Sequence, residues 1–179
     1  MIQLVIPERE FWDAGKSEFN MIKGTTIQVE HSLVSVSKWE SKWKKSFFNK
    51  RDKTTEEIID YVRCMTITQN VRPEVYSILT NDNMNTISEY IAESMTATFF
   101  NDESKSTAKE IITSEVIYYW MITYNIPFSC EKWHLSRLLA LIKVCSKKND
   151  KPKKMSRAEI INRNRALNNK RKQQYNTKG

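Results

Sequence analysis

Few side chains in this sequence are of the kinds that hold metals or act as nucleophiles. There are three cysteines, Cys64, Cys130 and Cys145, and two histidines, His31 and His134. Cys130 and His134 stand four residues apart, which suits two ligands on one helical face, so zinc is the first chemistry to weigh. A fourth ligand after Cys145 would have to be Cys64 or His31, and the sequence has neither a CxxC nor an HxxxH pair. Packing on an apolar helix fits this pattern better than coordination does. A Cys–His nucleophile would need the same residues, and no glycine-built loop stands ready for an oxyanion. The carboxylate pairs Glu56-Glu57 and Asp102-Glu103 read as helix caps and solvated loop, not as an acid–base pair. Three glycines and no Walker or GxGxxG motif leave little room for a phosphate loop. The expectation is a non-enzymatic chain with no catalytic, cofactor-binding or metal-binding residue.

Charge and aromatic residues remain. The net charge is +8, but its distribution is uneven. From Ser146 to Gly179 there are twelve bases and two acids, a net +10, so the rest of the chain carries −2. Lys153, Lys154, Arg157, Arg163, Arg165, Lys170 and Arg171 are the candidates there for partner contact, with nucleic acid or an acidic protein as the object. A second basic stretch, Lys38 to Lys53, interleaves seven bases with Trp39, Trp43, Phe47 and Phe48. Trp39 and Trp43 are also candidates for partner contact, as rings on which bases stack, although their i,i+4 spacing suits core anchors better.

The elements that must position these residues are mostly helices. Residues 1–34 are expected to form a small antiparallel β element. Ile2, Leu4 and Ile6 alternate with polar or outward neighbours, Asp13-Ala14-Gly15-Lys16 signals a turn, and Thr25 to His31 reads as a second strand. Residues 35–149 are expected to form a helical core. Ser37 and Glu40 have capping-box spacing, as do Thr54 and Glu57, Thr107 and Glu110, and Ser156 and Glu159. Short helices are expected from Pro73 to Leu79 and from Asn83 to Ser94. The run from Ala108 to about Asn125 is the most apolar, and is expected to be a buried central helix. With a following helix N-capped by Ser129, it should make an antiparallel hairpin at the heart of the fold. Residues 150–179 are expected to be a basic extension, helical from Ser156 to about Gln174, with too few apolar residues for a core. The fold class is therefore mainly α, of α+β type, with domain limits at 1–149 and 150–179.

The N-terminus lacks the basic and small-residue features of a signal peptide, and no apolar run approaches the ~18–20 residues of a membrane span. An odd cysteine count without pairing motifs suits a reducing compartment. A soluble, intracellular chain is expected.

Three stretches carry a resemblance: Glu30 to Trp43; Ile111 to Cys145, above all Glu115-Val116-Ile117-Tyr118-Tyr119-Trp120-Met121 and Ile126 to Leu135; and Pro152 to Arg157. Together they resemble the tail assembly chaperones of tailed bacteriophages and prophages of Gram-positive bacteria. The resemblance spans nearly the whole chain. It implies a non-catalytic virion-assembly factor in the host bacterial cytoplasm, absent from the finished particle. Its partners would be the long, helical tape measure protein and the tail tube protein, with self-association as a further expectation. Nucleic acid is a second, less favoured partner through the basic tail, and no membrane partner is expected. The alternatives to a chaperone are a nucleic-acid-binding module and a minor structural tail or connector protein.

Overall fold

The alternation at the N-terminus produces a β-ribbon. In the computed structural model, which describes residues 1–13, 15, 17–49, 52–100, 111–149 and 156–176, β1 (Ile2–Ile6) pairs antiparallel with β4 (Thr25–Val29), and β2 (Arg9–Asp13) with β3 (Glu18–Ile22). Both ladders keep one register: Ile2 faces Val29, Ile6 faces Thr25, Arg9 faces Ile22 and Asp13 faces Glu18. The four strands are thus two long arms interrupted at one place. Pro7 sits at the interruption and has no N–H to donate to a ladder. Gly24 lies across from it, where a Cβ would come within 3.2 Å of the Glu8 amide nitrogen.

The two halves of the ribbon have different surroundings. Leu4, Ile6, Ile27 and Val29 are buried in the core. Residues 65–67 run beside β4, with the Glu30 amide donating to the Met65 carbonyl and the Ile67 amide to that of Gln28. Helix α3 (Asn81–Ala92) covers β1, and Asn83 donates from Nδ2 to the Val5 carbonyl. Beyond the interruption, Ile22 still packs on the core, but Trp12, Phe19 and Met21 are exposed.

Helix α1 (Leu33–Trp43) is the hub. It packs against α2 (Thr55–Met65), α4 (Ser114–Thr123) and the 3-10 turn Phe128–Lys132. Its start differs from the expected one. Ser32 is the N-cap and Ser35 completes the capping box, so Ser37 and Glu40 lie inside the helix. Thr54 and Glu57 cap α2 as their spacing predicts. Pro73–Ile78 is a 3-10 turn, and Thr80 with Asn83 caps α3.

The C-terminal half of the core departs further from expectation. Helix α4 begins at Ser114, and residues 107–110, which hold the expected cap, lie outside the described residues. Only Ser114, Ile117 and Met121 of α4 are buried, while Tyr119 and Ile122 are exposed. Ser129 caps nothing: it sits within the 3-10 turn, and α5 (Leu135–Asn149) starts six residues later. The α4–α5 pair is not the heart of the fold. Helix α1 takes that place because Trp39, Val36 and Leu33, all fully buried, meet α2 and α4 together.

The chain divides into two compact units, Met1–Ser146 and Lys147–Gly179. The second holds α6 (Arg157–Tyr175), capped by Ser156 and Glu159 as predicted and closed by Asn176 in the left-handed conformation. No residue of α6 is buried. The architecture is mainly α with a small antiparallel β part. Among the described residues no helix is long and apolar enough to cross a membrane.

Candidate functional site

The histidines and cysteines are brought together differently from the helical spacing first assumed. Cys130 lies in a 3-10 turn and His134 precedes α5, so they do not share a helical face. Cys130 is buried, and Cys64 and Cys145 are half-buried. Among the described residues no cluster of three or more His, Cys, Asp or Glu is placed to hold a metal ion.

His31 and His134 do meet. Their rings stand edge to face with centroids 5.2 Å apart, and both are buried. The Tyr61 hydroxyl lies 2.5 Å from Nδ1 of His31 and 3.2 Å from the Ser35 hydroxyl. Nε2 of His134 donates to the Tyr90 carbonyl, and Nδ1 lies 2.8 Å from the Ser136 hydroxyl. Burial, and then the neighbouring His134, pushes His31 down to about 4, and burial lowers His134 as well. Burial raises the Tyr61 hydroxyl above its usual range. The backbone joins the same place, since the Leu135 amide donates to the His31 carbonyl. A buried, neutral, hydrogen-bonded pair of this kind is a core staple between the β-ribbon and α5.

The basic aromatic stretch is likewise structural. Trp39 is 1 % exposed and donates from Nε1 to the Glu57 carbonyl at 2.8 Å. No partner can stack on it in this fold, which corrects its place among the contact candidates. Trp43 is half-buried and donates to Asp60 at 2.9 Å. Lys42 pairs with Asp60 and Lys45 with Glu57, while Lys53 sits 4.4 Å from the Phe47 ring centre and donates to the Phe47 carbonyl. Lys45, followed by the Thr54 amide, holds the Glu57 carboxyl below the usual range. These cations are committed to α2 and to the loop after α1.

Glu40 is a residue that sequence reasoning missed. It is buried, and its two oxygens accept from the Phe47 and Ser114 amides, each at 2.7 Å. It therefore holds the loop after α1 and the start of α4, whose N-cap Thr113 caps no helix amide with its side chain. Its partner amide is 74 residues away, so no local pattern could have revealed it.

Among the described residues of the first unit, two groups of exposed apolar side chains stand out. On the distal ribbon, Trp12 and Phe19 are cross-strand neighbours with ring centres 4.9 Å apart, and Met21 lies next along the same face. Their exposures are 48 %, 68 % and 60 %. By strand parity this is the face that carries Leu4, Ile6, Ile27 and Val29 in the proximal half. On α4, Tyr119 and Ile122 are exposed one turn apart, with Phe128 exposed on the following 3-10 turn. Contiguous exposed apolar side chains of this size mark contact sites. On the second unit, Arg157, Arg163, Arg165, Lys170 and Arg171 are all exposed along α6. Lys153 and Lys154 lie outside the described residues.

No family model, curated protein or solved structure matches the chain.

Proposed function

We propose that the chain is a non-catalytic tail assembly chaperone, whose first unit holds the tape measure protein while tail tube protein assembles around it. The observation that carries this reading is the uncovered Trp12–Phe19–Met21 face of the β-ribbon. An apolar face on a narrow, two-stranded arm suits a temporary hold on an amphipathic helix, because the arm offers aromatic and thioether contacts without a deep pocket. The sequence resemblance supplies the identity of that helical partner. The exposed pair on α4 gives a second contact of the same character.

The test is co-expression of the full chain with fragments of its cognate tape measure protein, beside a Trp12→Ser/Phe19→Ser variant. Capture should fall at least ~5-fold in the variant, a loss of roughly 1 kcal/mol or more. Its melting temperature should stay within about 2 °C of the parent, because both rings are already exposed. Undiminished capture by the variant contradicts the assignment of the arm.

A further inference from the structure

Helix α6 carries Arg157, Arg163, Arg165, Lys170, Arg171 and Lys172 against a single acid, Glu159. At about 100° per residue these charges are sorted by face. One face, made of Ala158, Glu159, Asn162, Ala166, Asn169 and Gln173, holds the acid and no base. The other holds all six bases. Within it, Arg163 and Lys170 form one row seven residues apart. Arg165 and Lys172 form a second such row, about 160° from the first across the acidic face and about 200° from it across the other side. On that wider side run Asn164, Asn168 and Arg171, at i, i+4 and i+7, together with Arg157, Ile160, Ile161 and Leu167.

We infer that α6 is a DNA-reading helix, which lies in the major groove of B-form duplex DNA with Asn164, Asn168 and Arg171 facing the base edges. The major groove is about 12 Å wide and admits a helix of about 10–12 Å diameter. A cationic row on each flank then meets the phosphates of each groove wall, which set position and supply salt-dependent affinity. The strip between them has the side chains that read bases there: asparagine pairs with adenine N6 and N7, and arginine with guanine O6 and N7. Glu159 borders the Arg163–Lys170 row, one turn before Arg163, and its bonds to Ser156 fix the helix start.

An acidic protein groove fits less well. A helix that docks into such a groove presents an aligned apolar stripe. In α6 Ile160 and Leu167 adjoin, but Ile161 lies about 100° from Ile160 and Ala166 is on the acidic face. Duplex RNA fits less well too, because its major groove is deep and narrow.

The experiment uses the full chain and mixed-sequence duplexes of about two helical turns, as DNA and as RNA, followed by fluorescence anisotropy. The decisive variant exchanges neighbours: Asn162→Arg with Arg163→Asn, and Asn169→Lys with Lys170→Asn. Composition and the net charge of +8 are unchanged, but one cationic row rotates by about 100°, onto the face that holds the acid. DNA affinity should fall at least ~10-fold in this variant, and the parent should favour DNA over RNA by ~10-fold or more. Guanine N7 in the bound duplex should be protected from methylation. Equal DNA affinity of parent and exchanged chains, RNA bound as tightly as DNA, tighter binding to polyglutamate than to DNA, or unprotected N7 each overturn the inference.

Discussion

Burial keeps His31 and His134 neutral inside the first unit, and that has a consequence for stability. A ring uncharged in the fold with a pKa near 4, but near 6.5 when unfolded, makes the unfolded chain bind more protons between those values. The contribution of His31 is therefore intact above about pH 6.5 and is lost as pH falls through about 4, a change of roughly 3 kcal/mol at ~1.4 kcal/mol per unit. The Tyr61 hydroxyl, the Phe47 ring and His134 face His31, and none is an anion that would favour its charged form. Glu30 and Glu93 act on His134 in the opposite sense to burial, so His31 dominates. Urea midpoints measured from pH 7 to pH 4.5 should fall more steeply for the parent than for a His31→Gln variant, and parallel curves count against the staple. Glu40 makes a second prediction. Glu40→Ala strands the Phe47 and Ser114 amides and should cost about 2–4 kcal/mol, read from denaturant unfolding, with Glu40→Gln milder because one amide keeps its acceptor.

At the scale of elements, local signals were legible and remote ones were not. Thr54 with Glu57 and Ser156 with Glu159 cap where their spacing says, because a capping box is closed within four residues. Thr54→Ala should accordingly cost about 1 kcal/mol in thermal unfolding. The same spacing at Ser37 and Glu40 misled, since Ser32 and Ser35 cap α1 one turn earlier and Glu40 is taken by Ser114. The start of α4 is set by that distant carboxylate, and the start of α5 by the bridge between Ser32 and His134, so neither was written in its own neighbourhood. Alternation marked β1 and β4 but neither β2 nor β3, nor the fusion of all four into one ribbon. That fusion depends on Pro7 lying opposite Gly24 with no slip in register. Trp12, Phe19 and Met21 continue the parity face that is buried in the proximal half, yet are exposed, and this candidate site was missed, while the tryptophans favoured by composition, Trp39 and Trp43, pack α1 against α2.

For the whole molecule, the division of charge follows the division into units. The basic excess belongs to the stretch from Ser146 onward, and α6 buries nothing. A chain ending at Asn149 should therefore melt within about 2 °C of the full chain, as followed by tryptophan fluorescence, because no core residue is removed. The same truncation should abolish the DNA binding assigned to α6 and leave the apolar arm intact, so the two binding activities separate. The chaperone reading rests on the first unit alone. Its most direct measurement is the soluble fraction of the cognate tape measure protein expressed with and without this chain. The account predicts that co-expression moves the tape measure protein from the insoluble to the soluble fraction and that the two co-elute on affinity capture. A tape measure protein that stays insoluble and uncaptured in the presence of the folded chain contradicts it.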